Sequence, residues 1–395
     1  MKRFFPILIT FLLLGVSQAD AQTKPLSKSA WASLVTCEPS NELYTSFSHS
    51  ALHICDTAYG INLVYNYGTF DFNTPHFVWK FATRTLDYCL SRESYRSFIA
   101  DYTNQRRCVW EQRLNLSHQE VCNLFILLEF NYQPEYRWYR YDFFRDNCAT
   151  RIRDMICNCL DHDSLDYPKS NHTGTSYREI VYTTTDQNRL WWRLAIDMAL
   201  GARCDRDRST WECAFLPLVM KGQFDTITRS NGIDLIADPA VKILEDRREP
   251  LKSSVNPTLC FWALFIVIMI LGMIAKRKGW KLKGLDCLLF AIPGLLSLLV
   301  IFLWFLSAHW CCKWNFNILW TSPLWIFLSV AAVSDNMWRR MEAIAILQII
   351  MLVILLIMII MGWPQKFNAA ILPITLILIV RLVINLRKTK NRNSI

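Results

Sequence analysis

The hydropathy pattern of the chain changes sharply near residue 257. Beyond it apolar residues run almost unbroken through five segments, Thr258 to Ala275, Leu285 to Ser307, Phe316 to Val333, Ala343 to Met361 and Ala369 to Leu386. Each is long enough to cross a hydrocarbon core of ~30 Å as a helix, which predicts a five-span bundle. Before residue 257 the apolar positions are periodic instead. Ser48 to Cys55 alternates, Ile61 to Phe70 is rich in Val, Tyr, Ile and Leu, and the turn residues Asp56 to Gly60 lie between them, so a β-hairpin is predicted. Helical spacing follows over Leu90 to Tyr102 and Ser117 to Phe130, the second opened by Ser117 and Glu120 in a capping-box pattern. Gln187 to Leu200 carries Trp191, Leu194, Ala195 and Met198 on one face and meets Gly201, a natural helix stop. Residues 251–257 read as a linker.

A further helix starts within YDFFRDNCATRIRD, Tyr141 to Asp154. Asp146 and Asn147 are good N-caps, and Ile152, Met155, Ile156, Cys159 and Leu160 form an apolar stripe. Cys148 lies on that stripe four residues before Ile152. Its thiol is therefore expected in the first turn, facing inward.

The first residues carry Lys2 and Arg3, an apolar run from Phe4 to Val16, and Ala19-Asp20-Ala21. That is the pattern of a secretory signal cleaved before Gln22. The loop after the first span holds Lys276, Arg277, Lys278, Lys281 and Lys283, the one after the third Arg339 and Arg340, and the one after the fifth Arg387, Lys388, Lys390 and Arg392. The alternate loops hold only Lys313 and Lys366. The positive-inside rule places the basic loops and the C-terminus in the cytoplasm, and the residues before the first span outside, as the signal also requires. The expected organisation is a signal peptide at 1–21, an external domain at 22–250 and a transmembrane bundle at 251–395. Arg381, near the cytoplasmic end of the last span, is expected to snorkel.

A net charge of +10 would suggest nucleic acid, but residues 22–256 carry 27 Lys and Arg against 29 Asp and Glu. The excess is topological, and no nucleic-acid partner is expected. Ten cysteines lie in the external domain, where disulfides persist. Cys204 and Cys213, in RCDRDRSTWEC, would close a short loop; free buried thiols are the equal alternative. Cys157, Cys159 and His162, in CNCLDHD, lack a fourth ligand at a recognisable spacing, so no metal or other cofactor is expected. There is no G-x-S-x-G, H-E-x-x-H or phosphate-loop motif for a serine hydrolase, a zincin or a nucleotide enzyme.

A thiol in the first turn of a helix feels the positive end of the dipole and nearby N–H groups, which favour the thiolate and can receive an oxyanion. Arg145, Arg151 and Arg153 add charge. Among the six histidines of the domain, His49, at the start of the first hairpin strand, is the candidate base. If Ile54 pairs with Leu63, Asn66 is the diagonal neighbour of His49 and would orient its ring; a slip of one would substitute Tyr65 or Tyr67. Against this, a cysteine on an apolar stripe is more often a core residue.

The strings SHSALHI, VYNYGTFDFNTPHFVWKFATRTLDY, VWEQRLNLS and YRYDFFRDNCATRIRDMI resemble the soluble domain of the Lnb family of bacterial lipoprotein N-acyltransferases, whose members also carry a C-terminal membrane bundle. The likeness runs from about Thr36 to Ile156, and more weakly through RLWWRLAIDMALG and ECAFLPLVM. It implies an α+β fold, a circularly permuted papain-like (NlpC-like) cysteine domain followed by a five-helix transmembrane bundle. Lecithin:retinol acyltransferase-type relatives place a histidine at a strand start and an Asn-Cys pair at a helix start, positions filled here by His49 and Asn147-Cys148. Their orienting residue on the second strand is usually histidine, where this chain has Asn66.

The resemblance further implies transfer of an acyl chain from a phospholipid, through a Cys148 thioester, to the α-amine of the S-diacylglyceryl cysteine of an apolipoprotein. The enzyme would sit in the bacterial inner membrane with its catalytic domain in the periplasm and its C-terminus in the cytoplasm. The run Tyr132 to Phe144, with Tyr136, Trp138, Tyr139 and Tyr141 interleaved with Arg137 and Arg140, suits headgroup depth. Tyr141, Arg145 and Arg151 are the candidate substrate-binding residues, the arginines for a lipid phosphate. Two other classes remain open from the residues alone: a membrane-anchored NlpC-like cell-wall peptidase or amidase, and a non-enzymic module of a membrane complex.

Overall fold

A computed structural model of the chain describes residues 26–42, 45–160, 164–166, 172–185, 187–249 and 254–393. The expected signal peptide, His162 and residues 251–253 of the expected linker lie outside the described residues. The sheet-rich N-terminal part runs β1 (Trp31–Cys37), β2 (His49–Asp56), β3 (Ile61–Thr69), α1 (Phe77–Thr83), β4 (Asp87–Ser94), α2 (Tyr95–Asn104), β5 (Val109–Arg113), α3 (His118–Tyr132), β6 (Trp138–Arg140) and α4 (Cys148–Cys159). It continues through β7 (His172–Ser176), α5 (Tyr177–Thr184), α6 (Leu190–Ala199), β8 (Asp207–Ser209), α7 (Thr210–Cys213), α8 (Pro217–Phe224) and β9 (Val241–Leu244).

Seven strands form one antiparallel sheet in the order β6-β4-β3-β2-β1-β5-β9. One face, with Leu34, Leu52, Ile54, Tyr65, Tyr67 and Leu90, packs on α3 and α4 through Val121, Leu124, Leu128, Ile152 and Ile156. The other, with Val35, Cys37, Ala51 and Val64, packs on Phe98 of α2. Because both faces are covered, the alternation of SHSALHI is not a division between core and water. Ser50 and His53 are as buried as Leu52 and Ile54.

The hairpin has the expected register, with Ile54 opposite Leu63. Ser117 and Glu120 make the capping box that opens α3. The helix expected over Leu90 to Tyr102 needs correction, since its first residues finish β4 and the helix starts only after Ser94, whose hydroxyl accepts from Ser97 N–H. Pairing of Leu90 to Ser94 with β3 gives these residues a strand ladder, which outweighs local helical spacing. Cys204 and Cys213 are free thiols, so the short loop is not closed by them.

The C-terminal part is helical: α9 (Pro257–Lys278), α10 (Lys283–Ile301), α11 (Leu324–Ala331), α12 (Asp335–Arg340), α13 (Glu342–Met361) and α14 (Ile371–Asn393). Among the described residues, three helices are long and apolar enough to cross a membrane: Pro257–Lys278, Lys283–Leu306 with its π-helical last turn, and Glu342–Met361. The third expected span, Phe316 to Val333, is not one helix. It is a 3-10 turn at Phe316–Leu319 and then the eight-residue α11. Pro323 has no N–H to give a continuing helix, while the side chains of Asn317 and Trp325 bond to backbone carbonyls outside any regular turn. Arg381 does not snorkel either: it is buried and pairs side-on with Asp286 at 2.6 and 2.9 Å, and Asn385 donates to the same carboxylate.

The two parts meet at a buried polar joint. Arg178 reaches Asp205 through Nε (2.7 Å) and Asp197 through Nη1 (2.9 Å). Asn368 donates to the other oxygen of Asp197, and Asn315 and Asn317 donate to the carbonyls that end α6. Gly201 serves this joint rather than capping α6, since a Cβ there would lie 2.0 Å from the carbonyl oxygen of Lys313.

Candidate active site

The site is assembled where the start of α4 meets the first residues of β2 and the last of β3. Asn147 caps α4 reciprocally with Thr150: its Oδ1 accepts from Thr150 N–H at 2.9 Å, and its own N–H donates to Thr150 Oγ1 at 2.8 Å. Its amide also donates to the carbonyls of Phe143 and Phe215, which fixes the approach to the helix. Cys148 is the first helical residue and is only 5% exposed, packed with the α4 stripe as the spacing predicts.

Burial pushes the Cys148 thiol above its ordinary pKa, against the smaller pull of the Ser50 and Ala149 N–H groups and the Tyr141 hydroxyl. The expectation that a helix start favours the resting thiolate is therefore not met, because desolvation exceeds what these donors return. The three arginines change little, each being held by a carboxylate. Arg151 pairs with Asp146 (2.6 and 2.9 Å) and lies over the Tyr139 ring; Arg153 pairs with Asp154; Arg145 pairs with Asp142 and lies over Trp310.

His49 opens β2, opposite Cys37 of β1, after Ser48 turns the chain at φ 67°. Its Nε2 lies 3.2 Å from Asn66 Oδ1. The amide orientation is fixed from behind, because Asn66 Nδ2 donates to Glu93 Oε1 at 3.2 Å. Nε2 must then carry the proton, which leaves Nδ1 as the basic nitrogen. Removal from water lowers the His49 pKa to about 4, more than the Asn66 contact raises it, so the ring is neutral at physiological pH. Among the described residues no hydrogen bond joins His49 to Cys148.

Several contributors gave no signal in the sequence. Gly68, at φ 91°, ends the regular part of β3; a Cβ there would sit 3.3 Å from the Tyr141 ring and 3.8 Å from both Cys148 Cβ and the Tyr139 hydroxyl. The hydroxyls of Ser48, Ser50, Tyr67 and Tyr139 are buried without hydrogen bonds. Tyr139 Oη thus stands beside the cysteine as an uncommitted donor. Glu93 was also silent, because its partner Asn66 is set by strand register rather than by sequence spacing.

A buried thiol ringed by N–H and O–H donors, with a neutral, oriented imidazole on the adjoining strand, has the parts of a covalent acyl-transfer site. Two family descriptions match the chain: the Lnb N-terminal periplasmic domain over residues 18–180 and the Lnb transmembrane domain over residues 249–393. The chain belongs to the Lnb family. No curated protein and no solved structure matches it. The Lnb periplasmic match encloses His49, Asn66 and Cys148, and the Lnb transmembrane match covers α9 to α14, making this a membrane protein with a periplasmic domain.

Proposed function

We propose that the protein is a lipoprotein N-acyltransferase in which Cys148 is the nucleophile, His49 the base and Asn66 the group that orients it. His49 Nδ1 takes the thiol proton as sulfur attacks an ester carbonyl of a phospholipid. The N–H groups of Ser50 and the α4 start, with the Tyr141 hydroxyl, face the oxyanion that forms. The carbon–oxygen bond breaks, His49 returns the proton to the lysophospholipid oxygen, and the acyl chain stays on sulfur as a thioester. The α-amine of a diacylglyceryl cysteine then attacks, His49 removes a proton from it, and the thiol is regenerated as the amide leaves.

The single observation that carries this reading is the orientation chain Glu93–Asn66–His49, which no core-packing role for these residues requires. The lack of a His49–Cys148 hydrogen bond does not count against this reading, since nucleophile and base commonly tighten only once substrate is bound. On this reading residues 22–250 are the catalytic domain, related to the permuted papain-like fold, and residues 251–395 the inner-membrane bundle. Five crossings with a cytoplasmic C-terminus are supported by contacts at both ends. Ala308, Asn317 and Lys366 bond to Thr83, Asp197 and Glu179 of the periplasmic part. At the far end Lys281 and Lys283 pair with Asp335, and Arg381 with Asp286. On this reading the path from Asn317 to Asp335 would be the third crossing although its helix is broken.

The test is N-terminal lipopeptide mass spectrometry in cells whose only acyltransferase of this kind carries Cys148→Ala. Lipoproteins with a free α-amine are expected. Fully N-acylated lipoproteins would overturn the assignment.

A further inference from the structure

α1 is unusual for a helix in a folded domain, because none of its residues is buried. Val78, Trp79 and Phe81 are 77%, 61% and 53% exposed, and Phe72 just before it 57%. In water such a surface would be a liability. It lies instead beside the end of an apolar span. α1 rests on the π-helical turn that ends the apolar span Lys283–Leu306: Trp79 meets Phe302 at 5.5 Å between rings, His309 bonds to the Phe81 carbonyl at 2.9 Å, and Ala308 N–H bonds to the Thr83 carbonyl at 3.2 Å. Between helix and turn lies an open groove of about 630 Å³, lined by His76, Phe77, Val78, Trp79, Ala82 and Phe302. The volume is that of a small-ligand site, ~300–1,000 Å³.

The groove connects to the cysteine through aromatic rings. Phe77 packs on Phe70 (5.7 Å), Phe70 on Tyr88 (5.2 Å) and Tyr88 on Tyr141 (4.6 Å), whose ring and Cys148 Cβ both lie against Gly68. At the other end of α1, Arg84 bonds to the Tyr141 carbonyl at 2.8 Å and lies 3.4 Å from Asp142, the carboxylate that also holds Arg145. Two guanidiniums share one carboxylate there, which leaves one positive charge uncompensated beside the path.

We propose that this groove takes one acyl chain of a bilayer phospholipid entering sideways from the outer leaflet, with its carbonyl end directed along Phe70, Tyr88 and Tyr141 to Cys148 and its phosphate near Arg84 and Arg145. The proposal rests on the acyl-transfer reading above. The occupant is a membrane lipid chain because the groove's far wall is the end of a membrane-spanning helix.

The full chain in phosphatidylethanolamine–phosphatidylglycerol nanodiscs, doped with phospholipids bearing a photoreactive diazirine near the ester or in mid-chain, tests this by mass spectrometry of crosslinked peptides. The mid-chain probe should label residues 76–82 and the near-ester probe residues 84–88 and 139–142. Trp79→Glu should lower both labelling there and acyl-Cys148 formation from phospholipid at least tenfold, whereas Val241→Glu on β9 should change neither. Label confined to the outer faces of the spans overturns the groove, as does acyl-Cys148 forming at an unchanged rate in Trp79→Glu. Cys148→Ala protein should crosslink as the wild type does. Groove labelling without any acyl-Cys148 in the wild type would support the groove and sink the transfer reading; the converse would do the reverse.

Discussion

At the scale of residues, the site rests as thiol and neutral imidazole rather than as an ion pair, because both groups are held out of water. Alkylation of Cys148 by a small soluble reagent should therefore keep rising beyond pH 9, and acylation should lose its acid limb near pH 4 instead of 6.5. A flat alkylation profile between pH 4 and 8 would mean a preformed thiolate. The same shift bears on stability: the unfolded chain takes up the His49 proton first, so this group's contribution is intact above pH 6.5 and is lost as pH falls toward 4. On the proposed mechanism Glu93, which accepts from the Asn66 amide, would act as a positioning residue. Glu93→Ala should cut kcat up to about 100-fold with little change in KM, as expected when a catalytic group is misplaced by ~1 Å. Glu93→Gln, whose carbonyl accepts the same bond, should restore most of it.

Among the elements, β3 matters as much as α4. The sequence marks the start of α4 clearly, by Asp146-Asn147 and the apolar stripe, and marks the hairpin well enough to put Asn66 near His49 in the observed register. It does not mark the close pass of β3 by the cysteine, which exists only once Tyr141 and Tyr139 fold back against the sheet. Gly68→Ala combines a left-handed backbone with a Cβ that presses on the Tyr141 ring. It should lower the rate of Cys148 acylation at least tenfold while moving the thermal midpoint by only a few degrees. An acylation rate like the wild type's would show that Tyr141 has no part in the step.

In the whole molecule, the joint around Arg178 sets how the periplasmic part stands on the bundle. The charge is buried with two carboxylates, and burial raises the Asp205 pKa even against the pull of Arg178. Arg178→Ala would leave the buried Asp197 and Asp205 without their counter-charge, which costs about 3–5 kcal/mol. The detergent-solubilised full chain should unfold at markedly lower temperature, and transfer from phospholipid should fall even where small-reagent alkylation of Cys148 survives. Membrane-bound character and the helix bearing the cysteine were legible in the sequence, because each depends on local composition and period. The break in the third apolar segment, the Asp286–Arg381 pair, the uncommitted Tyr139 hydroxyl and the resting thiol were not. Each depends on which distant residue comes to lie alongside and on how much water the packed chain excludes, and only the tertiary structure decides that.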